Sequence, residues 1–109
     1  MPQAVYSKRL FSAVGFTPQS VVVYITPIGY TAVLRDIDLY NSAGSSNSEI
    51  YIEGDKGQTI FHAEVVALTK DSPQWRGRQV FYEGETISVN LPGPDIWDIT
   101  MSGYELVNA

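Results

Sequence analysis

Thr86-Ile87-Ser88-Val89-Asn90-Leu91 alternates apolar and polar residues without a break, and the closing stretch Trp97-Asp98-Ile99-Thr100-Met101-Ser102 repeats the pattern. Side chains along a strand point to opposite faces at a period of two, so each run puts one face in a core and the other toward water. Ile87, Val89 and Leu91 form one inward set, and Trp97, Ile99 and Met101 form another. No window long enough for a stable helix keeps apolar residues at three- and four-residue spacing without a Gly, a Pro or a β-branched run.

Outward from these two strands, composition carries the same message. Val, Ile and Thr number 27 of 109 residues, the aromatics add 13, and Gly (9) and Pro (6) punctuate the chain at short intervals. These residue types suit pleated, half-buried surfaces, and the punctuation supplies the turns. The spacing predicts strands over residues 9–14, 20–26, 30–40, 49–53, 58–68, 74–82, 86–91 and from 97 onward. Residues 41–48, mostly small and polar, are expected to form a mobile surface loop. In the last strand the apolar parity passes to Tyr104 and Leu106 across Ser102-Gly103, which predicts a bulge or bend there. The expectation is an all-β, two-sheet antiparallel sandwich of jelly-roll type with about eight strands and no long helix. An immunoglobulin-like sandwich is the alternative, without its Cys-Trp-Cys framework. One domain spans residues 1–109, and residues 1–8 read as an N-terminal arm, flexible or bound to a partner.

Charge and cysteine content exclude several classes of function. The chain has no Cys, which removes disulfides, thiolate metal sites and thiol chemistry. Seven Lys and Arg against twelve Asp and Glu leave a net charge of -5, so nucleic acid is not an expected partner. The longest apolar run, residues 20–25, is too short to cross a bilayer, and no secretory apolar segment follows Lys8 and Arg9. Synthesis and folding in a cytoplasm are expected.

Candidate chemistry is sparse. His62 is the sole histidine and shares a strand face with Glu64, a pairing that suits a metal couple or an acid–base pair, or simply a polar pair on a wet face. Zinc catalysis ordinarily adds a second His or a Cys. Asp36 and Asp38 also share a face, where calcium or solvated charge are the readings. No Gly-x-Ser-x-Gly elbow, phosphate-cradling glycine loop or distinguished carboxylate pair is present, so neither a catalytic residue, a metal ligand nor a cofactor is assigned. Trp97 reads as core. Trp75, beside Arg76 and Arg78, divides between core edge and subunit contact, since aromatic and Arg residues are enriched at interfaces.

Val23-Tyr24-Ile25-Thr26-Pro27-Ile28-Gly29-Tyr30, continuing through the apolar strand to Asn41, resembles the Pro-small-Gly turn, followed by a long strand ending in Asn, of small virion proteins encoded by tailed bacteriophages. Trp75-Arg76-Gly77-Arg78-Gln79-Val80-Phe81-Tyr82-Glu83-Gly84-Glu85 resembles their glycine–glutamate turn. Trp97 to Leu106, with Ser102-Gly103-Tyr104, resembles their closing strand. The likeness covers most of residues 20–107 and departs at Ile28, where a small residue is usual. It implies a non-enzymatic jelly-roll part of a virion, a capsid decoration or minor head protein or a neck or tail component, made in the bacterial host cytoplasm. It also implies a homo-oligomer, with a trimer preferred, bound to capsid or tail proteins and to neither nucleic acid nor membrane. Tyr6, Lys8, Arg9 and Phe11 would anchor each copy, and Trp75, Arg76 and Arg78 complete the candidate interface. A carbohydrate-binding or host-attachment module built on Trp75, Tyr82 and residues 41–48, and a small hydrolase using His62 or a carboxylate pair, are the competing readings.

Overall fold

A computed structural model of the chain describes residues 8–41, 47–65, 72–93 and 95–108. Eight strands follow one another: β1 (Lys8–Phe16), β2 (Gln19–Ile25), β3 (Tyr30–Asn41), β4 (Ser48–Glu53), β5 (Thr59–Val65), β6 (Gln74–Phe81), β7 (Thr86–Gly93) and β8 (Trp97–Val107). They form two four-stranded sheets, ordered β1-β8-β3-β6 and β2-β7-β4-β5, and every pairing is antiparallel. Strands β1 and β8, β2 and β7, β3 and β6, and β4 and β5 pair as in one long hairpin with β4–β5 at its tip. Rolling that hairpin up places successive pairs alternately in the two sheets, and the β8–β3 and β7–β4 ladders close the roll. This is a jelly roll, as the turn spacing leads one to expect.

The alternating sets meet where the pattern puts them. Ala32, Leu34, Ile37 and Leu39 of β3 and Trp97, Ile99 and Met101 of β8 face Ile50 and Ile52 of β4 and Ile87, Val89 and Leu91 of β7, and all are buried. Polar groups inside this core are paired. Trp97 Nε1 donates to Ser48 Oγ at 2.9 Å, and Asn41 Nδ2 donates to Asp95 Oδ2 at 3.0 Å. Such pairing matters because a buried donor left without a partner costs about 1–3 kcal/mol.

Two expectations are corrected. Asn41 and Ser48, assigned to the mobile loop, are buried strand residues at the ends of β3 and β4, held there by Asp95 and Trp97. Asn47 of that loop is exposed, residues 42–46 lie outside the described residues, and so do 66–68 of the fifth strand. The parity of β8 does not change at Gly103 either: burial alternates from Trp97 through Gly103, leaving Tyr104 on the outer face opposite Val33. The irregularity lies in β3, where the register steps from Leu34↔Gly103 to Asp36↔Ser102 and Arg35 is the extra residue. Gly103 is required opposite it, since a Cβ there would collide with the Val33 carbonyl. The turn before β3 places Gly29 at φ 86°, with Tyr30 N donating to Pro27 O at 3.1 Å, so Ile28 occupies a central turn position that tolerates its exposed side chain.

Candidate functional site

Alternation along β6 separates the aromatic and Arg residues that are adjacent in sequence. Trp75 turns inward at the sheet edge and packs against the core, its ring lying across Gly77, where a Cβ would come within 2.8 Å of it. Arg76 turns outward, with Nη2 2.8 Å from Asp38 Oδ1 and Nε 3.3 Å from Asp36 Oδ1. The Asp36–Asp38 pair is thus answered by a guanidinium, whose own proton is held more firmly by the Asp38 hydrogen bond. Arg78 is exposed within the β6 irregularity, between Arg76↔Asp36 and Gln79↔Leu34.

The anchoring residues divide in the same way. Tyr6 lies outside the described residues, whereas Lys8, Arg9 and Phe11 belong to β1. Phe11 packs edge-to-face on Phe16, with ring centroids 6.3 Å apart. Lys8 Nζ meets Glu105 Oε1 at 2.5 Å, and Tyr24 Oη donates to Glu105 Oε2 at 2.5 Å. Glu105 is on the inward parity of β8 where the sandwich opens, so this clasp joins β1 and β8 of one sheet to β2 of the other. Burial pushes the Glu105 carboxyl up, but the hydrogen bonds from Lys8 and Tyr24 and the Lys8 charge outweigh it and hold it below the usual carboxylate value. Tyr24 moves far above its ordinary phenol value, through burial first and then through the Glu105 carboxylate.

On the outer face of the second sheet, His62 does stand beside Glu64, and the fold adds Glu49 from β4 and Tyr51 stacked on the imidazole. A hollow of about 340 Å³ opens on the first sheet, lined by Asp38, Leu39, Tyr40, Ser72, Gln74, Asp98 and Thr100. Neither Trp75 nor Tyr82 lines it, so the aromatic residues of the carbohydrate reading lie away from this hollow.

The feature that sequence reading missed is an edge. Strands β1, β6, β2 and β5 flank the two sheets. Three of them carry charge: Lys8 and Arg9 on β1, His62 and Glu64 on β5, Arg76 and Arg78 on β6. Gln19-Ser20-Val21-Val22-Val23-Tyr24-Ile25 of β2 carries none, and Val22 and Ile25 are 47% and 62% exposed. Edge strands are usually blunted by charge, Pro or bulges because their unpaired backbone templates another chain, and of these β2 has only a register step between Val22 and Tyr24. The apolar surface continues past β2. Ile28 is 87% exposed in the next turn, and hydrogen bonds Thr26 N to Glu85 O and Asn108 N to Gly29 O bring exposed Tyr82 and Val107 to the same end of the sandwich. The only sequence signal was the Val run without charge in residues 19–25, which reads equally well as a strand buried on both sides.

No family model matches the chain, and no curated protein matches it. Among solved structures, the chain is similar to one from the Bacillus endospore appendages described as a family of disulfide-linked pili, at 11% identity and a TM-score of 0.53, over 100% of this chain and 93% of that one. That likeness shows a shared fold. The disulfides of those pili have no counterpart here, because this chain has no Cys. A chain of infectious bursal disease virus, Gx strain, aligns at 13% identity and a TM-score of 0.42 over 97% of this chain and 32% of that one.

Proposed function

We propose that the protein is a non-enzymatic structural subunit that assembles with copies of itself, as a capsid decoration or minor head protein of a tailed-phage virion. The observation that carries this reading is the uncharged, exposed edge of β2. A second copy is the occupant that fits it, because strand addition satisfies the free backbone edge through main-chain hydrogen bonds, and the exposed Val22 and Ile25 add apolar contact. The fold it shares with the Bacillus appendage protein, whose own description is of pili, suits a part that works by packing against its neighbours. Repetition on a symmetric particle lets individually weak contacts suffice. A trimer closed around a threefold axis is the preferred state, with the N-terminal arm tying each copy to the shell. Of the residues 1–8 expected to form that arm, Lys8 belongs to β1, so truncation after Ser7 leaves the described strand whole.

The test is solution mass by light scattering over a wide concentration range, for the full chain and for Val22→Lys. The expected result is a discrete oligomer that Val22→Lys shifts toward monomer without lowering the melting temperature, since Val22 is exposed. An unchanged oligomer in Val22→Lys would remove β2 from the interface. A wild-type monomer that binds a defined glycan would replace the structural reading with the attachment module.

A further inference from the structure

Glu49 and Glu64 stand directly opposite each other on the β4–β5 ladder, two pairs along from Tyr51↔His62 and therefore on the same face. Like charges in opposite positions of an antiparallel sheet destabilise it. Among the described residues, the only basic side chain within ion-pair distance of either carboxylate is that of His62. Its Nε2 lies 3.2 Å from Glu49 Oε2 and 3.6 Å from Glu64 Oε1, and the three donor atoms all lie within 4.8 Å of one another. Donors about 2.1 Å from a tetrahedral zinc ion stand about 3.4 Å apart, so the two His62 separations already bracket the edge length of such a site. The imidazole is also oriented: the Tyr51 ring stacks on it at 4.3 Å with the planes 1° apart.

We infer that Glu49, His62 and Glu64 form an exposed three-donor site for a divalent transition-metal ion of the Zn2+ type. The ion would replace the opposed negative charges with shared coordination, pin edge strand β5 to β4, and keep at least one coordination position for water or a donor from another molecule. One nitrogen and two carboxylate oxygens favour zinc-like ions over Ca2+ and Mg2+, which prefer oxygen alone. Neutral imidazole is the ligand form.

A single histidine makes the test direct, because the His62 ring signal in proton NMR has no competitor in the chain. ZnCl2 titrated into the full chain should shift that signal with one-to-one stoichiometry, while CaCl2 at the same concentration leaves it in place. The double variant Glu49→Gln, Glu64→Gln should weaken zinc binding at least about tenfold in calorimetry, and His62→Ala should abolish it. All three side chains are clear of the core, so the variants should stay folded, and the double glutamine variant, relieved of its opposed charges, should be no less stable than the wild type. Zinc binding equally tight in the double glutamine variant would overturn the site, since His62 alone would then be the ligand. An equal response to Ca2+ would overturn it as well.

Discussion

Replacing Gly103 with Ala probes the joint on which the first sheet depends. Gly103 lies in β8 between β1 and β3, paired with Lys8 on one side and Leu34 on the other. An added Cβ would collide with the Val33 carbonyl oxygen and lie 2.9 Å from its carbon and 3.1 Å from Leu34 Cα. All three obstacles are backbone, so no side chain can swing away. Ordinary carbon–oxygen contacts are about 3.3–3.6 Å. Strands spaced about 4.8 Å apart must therefore separate locally by an ångström or more. Two ladder hydrogen bonds at about 1 kcal/mol each, added to about 1–3 kcal/mol for overpacking, give a loss of about 3–5 kcal/mol. That is a large part of the roughly 5–15 kcal/mol that stabilises a domain, and it should lower the melting temperature by roughly 10–20 °C. Urea titration of Gly103→Ala beside Gly57→Ala measures it. Gly57 has φ 79° and nothing within 4 Å of its added Cβ, so that control incurs only left-handed strain, about 1–2 kcal/mol. A Gly103→Ala protein no less stable than Gly57→Ala would refute the close approach of β3 and β8.

Ser48→Ala should cost about 1–3 kcal/mol in the same titration, because it strips the buried Trp97 N–H of its acceptor, whereas Ser48→Thr should retain most of that stability. The Glu105 clasp predicts two limbs in a profile of melting temperature against pH. Glu105 is held below its ordinary 4.5, so its contribution is present above that value and is lost as pH falls from there through the lowered folded value; Glu105→Gln should flatten this acid limb. Tyr24 is raised above its ordinary 10.0, so the folded state favours the neutral phenol, the contribution is complete below that pH and is lost above it, and Tyr24→Phe should flatten the alkaline limb.

The architecture was legible because burial and sequence alternate together: Ile87, Val89, Leu91, Trp97, Ile99 and Met101 all face inward as their period requires. An irregularity near Ser102-Gly103 was expected from an apparent change of apolar parity, but the actual one, the extra Arg35 in β3, lies across the ladder, where a linear reading does not reach. Loop ends were misread for a related reason. Asn41 and Ser48 are small and polar in sequence, yet each is buried by a partner some fifty positions away, Asp95 for one and Trp97 for the other. Neighbours in sequence also misled at β6, where Trp75 and Arg76 point to opposite faces. The His62–Glu64 pair could be read from spacing two, whereas Glu49 joins it only through the β4–β5 register.

Edge chemistry connects the fold to its proposed use. A sandwich has four edges, and a protein that is to remain a monomer needs all of them guarded. Here β1, β5 and β6 each carry charged or titratable side chains, while β2 presents Val22 and Ile25 to solvent and leads into the exposed Ile28 turn. Core packing does not demand this. Inward positions on β2 require apolar residues, but the exposed ones would accept Lys or Thr without disturbing the interior. Stability of the single copy therefore supplies no reason for an uncharged edge, and a net charge of -5 would make an acidic residue there the simplest guard against association. On the proposed reading a partner strand supplies the reason: three edges carry charge, and β2, interrupted only by the register step between Val22 and Tyr24, is the uncharged one where that partner would add.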